Sequence, residues 1–271
     1  MIKPSDEQIK ILAKQLKVPT FSTYQELLKQ ADSKATFDQL LYALMQREYD
    51  QRQENNNRRR LKQACFPYTK TLDELDVNRY DGSISDIFIN ELASCRFIDE
   101  KKNLVMIGNP GRGKTHIAIG IGLKACASGM SVLFKNAASL STELTEAKDN
   151  YSLGKLEKKI RNVDLLIIDE MGYVSFDRYQ SELLFKVIAD RSERGSTIVT
   201  TNLAFSEWTS LFENVAMVAA LVDRLTFKSY VLDMNGESYR LEHSKSNSWV
   251  IILSIKIIFM TLFRMRSVRC L

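Results

Sequence analysis

Eight consecutive residues, Gly108-Asn109-Pro110-Gly111-Arg112-Gly113-Lys114-Thr115, have the types and the spacing to hold a phosphate. Their glycines let successive backbone N–H groups turn inward around phosphate oxygens, which a side chain at those positions would obstruct. Lys114 would reach the β- and γ-phosphates of ATP, and Thr115 would place its hydroxyl on Mg²⁺. A helix opening here, with His116 in its first turn, would add the positive end of its dipole. The carboxylates such a site needs follow in "LLIIDE", where four apolar residues, Leu165 to Ile168, run into Asp169 and Glu170. Asp169 would hold Mg²⁺ through its water shell, and Glu170 would polarise the attacking water.

Two further residues could complete the chemistry. Asn202 ends the run "STIVTTN" and suits a hydrogen bond to the attacking water or the γ-phosphate; it also suits the N-cap of a helix before "FSEW", and the two roles are compatible. Arg224, in "ALVDRLTF", is either one half of a surface ion pair or an arginine supplied to a neighbouring subunit's nucleotide.

These residues need a scaffold that delivers them to one place. From Asn103 onward, short apolar runs ("NLVMIG", "SVLFKN", "VDLLIIDE", "STIVTTN") alternate with longer segments of helical period, the helices falling near 114–128, 178–194 and 205–226. Such alternation predicts parallel βαβ units with helices on both faces, and the carboxyl ends of the strands then open onto a ligand crevice. In "SYVLDMNGESYRL", Asn235-Gly236 between two apolar-rich arms predicts a hairpin. The fold class is therefore α/β.

Upstream, the pattern is all helical. Ser5-x-x-Gln8, Thr23-x-x-Glu26 and Thr36-x-x-Gln39 each have capping-box spacing. Pro19 separates the first two helices, and the third runs from about Phe37 past Leu61 with an apolar face of Phe37, Leu40, Leu41, Leu44 and Met45. Its second half, "REYDQRQENNNRRRLKQ", has almost no apolar face. That run is either a solvated helix or linker, or a nucleic-acid surface on which Arg58, Arg59, Arg60 and Lys62 meet phosphates. Pro67, in "FPYTKTLDELD", marks the crossing to the next domain. The expected organisation is a helical domain at 1–65, an ATPase domain at 66–241 and an atypical tail at 242–271.

Composition narrows the class. A chain of 271 residues can bury a sizeable core, and its net charge of +5 invites comparison with nucleic-acid binders. Most of that charge lies in the tail, however, where five basic residues face Glu242 alone; the body to Leu241 is nearly neutral, so a local patch is needed for DNA. Cys65, Cys95, Cys126 and Cys270 form no Cys-x-x-Cys pair, and only His116 and His243 could join them, which argues against zinc and for reduced thiols. The start, "MIKPSDEQIKILAKQLK", lacks the apolar run of a secretory signal, and a cytoplasmic protein is expected. In the tail, "WVIILSIKIIFMTLF" falls short of the roughly 20 residues a membrane helix needs, so no membrane is expected; its abrupt composition also suits an altered reading frame.

The segments "GNPGRGKTHIAIG", "LLIIDEMGYVSFDRYQSELLFKVIADRSERGSTIVTTNLAFSEW", "ALVDRLTFKSYVLDMNGESYRL" and "REYDQRQENNNRRRLKQACFPYTKTLDELD" together resemble the IstB-like AAA+ ATPases. These are helper proteins of insertion-sequence transposition, related to DnaC-type helicase loaders. The likeness spans about Leu27 to Leu241. It implies a P-loop AAA+ core with a five-stranded parallel sheet, a small N-terminal helical domain that contacts DNA or a transposase, and ATP-dependent homo-oligomers on double-stranded DNA. It also implies Lys114 and Thr115 as the phosphate loop, Asp169 and Glu170 as the Mg²⁺ and water pair, Asn202 as the sensor and Arg224 as the intersubunit arginine. Residues 242–271 depart from the family and leave no room for a helical lid. The activity implied is ATP hydrolysis that recruits or stimulates a transposase. The alternative partner is a replicative helicase. A small-molecule kinase would leave the basic run and Arg224 without a role, and a non-hydrolysing DNA scaffold would show no ATP turnover.

Overall fold

A computed structural model of the chain describes residues 5–32, 35–80, 84–212 and 214–236. The chain divides into two compact units, residues 1–63 and 64–271.

In the first unit, α1 (Asp6–Gln15), a 3₁₀ turn (Pro19–Thr23) and α2 (Tyr24–Gln30) precede the long α3 (Phe37–Ala64). Two of the three expected capping boxes form. The Ser5 hydroxyl accepts from Gln8 N–H at 3.3 Å and Thr36 from Gln39 N–H at 3.5 Å, each glutamine answering the N-cap N–H at 3.0 Å. Thr23 does not cap, because the Pro19 turn runs straight into α2 and the Thr23 hydroxyl donates to Thr20 O at 2.8 Å. The expected apolar face of α3 is also only partly used: Leu40 and Leu44 are half-buried, but Phe37 is 75% and Met45 58% exposed. Glu48 fixes this unit instead. It is buried and accepts from Thr20 N at 3.1 Å and from Arg52 Nε at 2.7 Å. Burial pushes its carboxyl up, yet these bonds outweigh it and hold the carboxyl below the usual range.

The second unit opens with a strap, residues 64–80, that carries two 3₁₀ turns, and continues through α4 (Asp86–Ala93) and the short α5 (Arg96–Asp99). Next come β1 (Asn103–Ile107), α6 (Lys114–Ala127), β2 (Val132–Asn136), α7 (Ala137–Asp149), α8 (Leu153–Asn162), β3 (Leu165–Asp169), α9 (Arg178–Arg191) and β4 (Ser196–Thr201). The last described elements are α10 (Val215–Thr226) and β5 (Ser229–Asp233). All five strands are parallel, in the order β2-β3-β4-β1-β5.

Strand alternation explains the layering. Leu166 and Ile168 point to a core shared with Leu140 and Leu144 of α7, Leu184 and Ile188 of α9 and Leu221 of α10. Ile167 points the other way, toward Gly122 of α6. Because both faces are covered, β3 reads as an apolar run rather than an alternating one, and every residue of both β3 and the threonine-rich β4 is buried.

Two differences from the expected elements have physical causes. The helix expected near 205–226 is broken into a 3₁₀ turn (Phe205–Ser210) and α10. Leu211 and Phe212 are buried between them, Phe212 bridging to Phe176, and Asn214 caps the new start by accepting from Met217 N–H at 3.1 Å. The expected helices also include none between β2 and β3, where the structure has α7 and α8, divided by Tyr151 in a left-handed conformation at φ 53°. The second arm of the expected hairpin, 237–241, and the tail, 242–271, lie outside the described residues. Among the described residues, no helix is long and apolar enough to cross a membrane.

Candidate nucleotide site

The loop between β1 and α6 has the backbone its glycines allow. Gly111 and Gly113 take φ of 78° and 82°, left-handed values that free N–H groups to point into one concavity. Lys114, the first residue of α6, is buried, and its Nζ donates to the carbonyls of Gly108 at 2.5 Å and Asn109 at 2.8 Å. The ammonium thus lies across the mouth of the loop, where phosphate oxygens would replace those carbonyls as partners.

The structure brings Thr115 and Asp169, both expected at Mg²⁺, into contact. Thr115 Oγ1 lies 2.9 and 3.1 Å from the two carboxylate oxygens of Asp169, at the end of β3. Thr200 Oγ1, on the adjacent β4, donates to Asp169 Oδ1 at 2.6 Å and accepts from Glu170 N–H at 2.9 Å. Burial pushes the Asp169 carboxyl above its usual range, against the opposing hydrogen bonds from Thr200 and Thr115. A buried carboxylate beside a hydroxyl, on a phosphate loop, is a donor set that fits Mg²⁺, which takes one or two protein oxygens and completes its shell with phosphates and water. No cluster of three His, Cys, Asp or Glu side chains occurs among the described residues, so no all-protein metal cage competes with it.

Glu170 stands at φ 60°, a left-handed conformation that is uncommon for a residue with a side chain. Its carboxylate is exposed and accepts from Asn136 Nδ2 at 2.7 Å. Asn136 also caps α7, its Oδ1 accepting from Ala138 N–H at 3.0 Å. The parallel register sets Asn136 of β2 directly beside Asp169 of β3.

A cavity of about 360 Å³ opens over these groups. Lys114, Thr115, Glu170 and Thr200 line one part of it, and Leu75 and Tyr80 of the strap another. Glycines on α6 seat the strap: a Cβ on Gly120 would lie 2.6 Å from Leu72 Cδ2, and one on Gly122 2.7 Å from the Phe66 ring. His116 reaches the strap too, its Nε2 lying 2.6 Å from Thr71 O, a contact that requires the proton on Nε2.

Other expected residues fall elsewhere. Asn202 does not cap the following turn, whose N-cap is Ala204, and its Oδ1 is buried without a hydrogen-bond partner among the described residues, closely covered by Gly172. Arg224 lies outside the cavity and makes no ion pair among the described residues. Its Nη1 donates to Ala220 O at 2.9 Å, and its guanidinium stands 5.2 Å over the Phe185 ring. Arg58, Arg59, Arg60 and Lys62 all lie on α3 but do not share one face. Four residues apart, Arg58 and Lys62 align, Arg59 sits about 100° away, and Arg60 points to the far side. Arg58 also pairs with Glu54 at 2.5 Å. A second basic surface went unpredicted: α8 exposes Lys155, Lys158, Lys159 and Arg161 while burying Ile160. Its signal in the sequence, "KLEKKIRN", is a charge run around one buried isoleucine.

Sequence and structural comparisons agree with this geometry. Residues 11–247 match the family model of the IstB-like ATP-binding proteins. The chain belongs to that family. It is 34% identical over 240 residues to a protein of insertion sequence IS21 from Pseudomonas aeruginosa that is described as ATP-binding, covering 88% of this chain and 90% of the relative. To the corresponding protein of IS5376 from Geobacillus stearothermophilus it is 37% identical over 213 residues, covering 78% and 83%. Among solved structures, DnaI superposes with a TM-score of 0.51 at 20% identity over 62% of this chain and 89% of DnaI. AMPPCP-bound DnaA from Aquifex aeolicus does so at 0.51 and 16% identity over 60% of this chain and 49% of that one. The fold of this IstB-like protein is thus the P-loop AAA+ fold, and it is an ATP-binding protein.

Proposed function

We propose that this IstB-like protein is an ATPase that assembles on double-stranded DNA and recruits or stimulates a transposase. The observation that supports it most is the convergence of Lys114, Thr115, Asp169 and Glu170 at the carboxyl ends of β1 and β3, in a chain whose relatives belong to insertion sequences.

In this reading Lys114 exchanges its carbonyl partners for phosphate oxygens, while Thr115 and Asp169 would hold Mg²⁺. When bound, that ion would neutralise phosphate charge. Glu170, released from Asn136, accepts a hydrogen bond from the attacking water and aligns it. Asn202, one residue beyond Thr201 on the cavity wall, would turn its amide toward the same water, and Arg224, which no contact among the described residues brings to the cavity, completes the site of a neighbouring copy. Homo-oligomers would then form with ATP and loosen on hydrolysis.

DNA contact is proposed through basic side chains on phosphates, either the α3 set of Arg58, Arg59 and Lys62 or the α8 set of Lys155, Lys158 and Lys159. Each phosphate neutralised lowers the slope of log K against log salt by about 0.9. Triple alanine substitution of one set should flatten the slope by roughly two to three, and a duplex-stimulated ATPase assay on the same proteins links binding to turnover. An unchanged slope in both variants removes both surfaces from the proposal. Co-purification of a transposase, as against a replicative helicase, decides the partner.

A further inference from the structure

The phosphate loop is held from behind by the turn that follows β5, and three separate contacts make that attachment. Met234 N–H donates to Ile107 O at 2.6 Å, at the point where β1 enters the loop. Asn109 Nδ2 donates to Gly236 O at 3.2 Å. Arg112 Nε donates to Met234 O at 3.3 Å. The two backbones are pressed together, for a Cβ on Gly108 would stand only 2.4 Å from the carbonyl carbon of Met234.

Arg112 is the joint of this assembly. It is a loop residue, yet it is 8% exposed, and its guanidinium is enclosed between the turn and the strap. On one side a Cβ at Gly236 would meet Arg112 Cζ at 2.9 Å; on the other the Tyr80 ring centroid is 5.2 Å away. Tyr80 also donates its hydroxyl to the Arg112 carbonyl at 2.9 Å, so the residue is gripped by main chain and side chain together. A buried guanidinium keeps its place only while its donors are satisfied, and moving the turn would break that condition.

Phosphate binding demands that the loop N–H groups converge, and an unsupported glycine-rich loop pays conformational entropy to reach that state. Whatever fixes the loop beforehand raises affinity, and by linkage the ligand that fixes the loop must fix the support as well. We propose that Arg112 is a positioning residue that makes the phosphate loop and the Met234–Gly236 turn one conformational unit, so that ATP on one side of the loop orders the turn on the other. The Met234–Gly236 turn thereby receives a signal of nucleotide state from the far side of the loop. The proposal rests on ATP occupying this loop.

The test uses the full chain, with ATP affinity from calorimetry and amide hydrogen exchange of the 229–236 segment with and without ATP. In the wild type, ATP is expected to slow exchange at Met234 and Gly236. Arg112→Met keeps the apolar stem and removes the donors. It should weaken ATP binding about tenfold, within the range of ordinary coupling, and abolish the ATP-induced protection of the turn. Arg112→Lys, which keeps a charge that can reach Met234 O, should recover part of both. Asn109→Ala alters an exposed residue and guards against a misfolded Arg112 variant; it should lose two- to threefold in affinity and part of the protection. Lower thermal stability with ATP-induced protection intact would mark Arg112 as merely structural and overturn the proposal, as would wild-type affinity in both the Met and the Ala variants. A wild-type chain that binds no ATP would instead remove the nucleotide reading beneath it.

Discussion

The two ends of β3 and β4 both bury charge, and they satisfy it in different ways. At the amino ends, the Arg191 guanidinium is 1% exposed and donates to backbone carbonyls of Ile160, Val163, Asp164 and Ser196 at 2.6 to 3.3 Å. Those acceptors belong to the end of α8 and the starts of both strands, and no ligand could supply replacements. Burial pushes its pKa down to about 10, with the Asp164 charge opposing. At the carboxyl ends, Lys114 and Asp169 are nearly as buried, yet their partners are loop carbonyls and two hydroxyls that phosphate and Mg²⁺ could replace. One end spends its polar groups on rigidity; the other keeps them exchangeable.

Breaking the rigid end should have the largest effect. Arg191→Met leaves several buried carbonyls without donors, each a cost of about 1–3 kcal/mol when fully unsatisfied. Partial relaxation brings the expected loss to about 3–5 kcal/mol, read as a shift in the urea midpoint. A loss below about 1 kcal/mol would mean the carbonyls find other donors and the contrast between the ends is false.

At the exchangeable end the same kind of substitution should spare the fold and remove the ligand. Lys114→Ala is expected to weaken ATP binding at least about 100-fold, or about 2.7 kcal/mol, with the urea midpoint changing little. Glu170→Gln should retain ATP binding and lower turnover by about two orders of magnitude or more, because it removes only the group aligning water. Equal turnover in wild type and Glu170→Gln would dismiss that role.

Asp169→Asn sharpens the comparison further, since a functional carboxylate should carry a stability cost that a structural one would not. Its folded pKa is raised, so the native state holds the proton more tightly than the unfolded chain does. The sign follows: stability is greatest below the ordinary carboxyl range and is lost as pH rises through the raised value. Asp169→Asn should therefore gain roughly 1 kcal/mol at neutral pH and nothing at the acidic end, while Mg²⁺-dependent ATP turnover disappears. A variant less stable than wild type at pH 7 would assign Asp169 to the architecture instead.

How far these ends could be read from sequence depended on the distance over which each signal acts. The phosphate loop, the buried strand ending in Asp169 and the two polar-glutamine caps of the first unit are local patterns, and all are present. Thr200 and Asn136 carry no local signal, because only the register of β3 with its two neighbours sets them against Asp169 and Glu170. The strap is similar: Gly120 and Gly122 look like weak points in a helix until Leu72 and Phe66 are seen to occupy the space. The broken 205–226 helix failed for the opposite reason, its helical period being real but overridden by the burial of Leu211 and Phe212.

The smallest expected effect concerns the bond between Asn136 and Glu170. Glu170 is exposed, and among the described residues its 2.7 Å bond to Asn136 Nδ2 is the one hydrogen bond of its carboxylate that would have to be released before it could align water. Asn136→Ser keeps a good N-cap for α7, since serine ranks with asparagine there, so stability should change by no more than a few tenths of a kcal/mol. The serine side chain is too short to reach Glu170 Oε2. If the bond restrains the carboxylate, turnover in the absence of DNA should rise about two- to fivefold at saturating ATP, and the ratio of DNA-stimulated to basal rate should fall by the same factor. A drop in both rates would show that Asn136 instead holds Glu170 in its working position, making this corner of the carboxyl end as fixed as the Arg191 cluster.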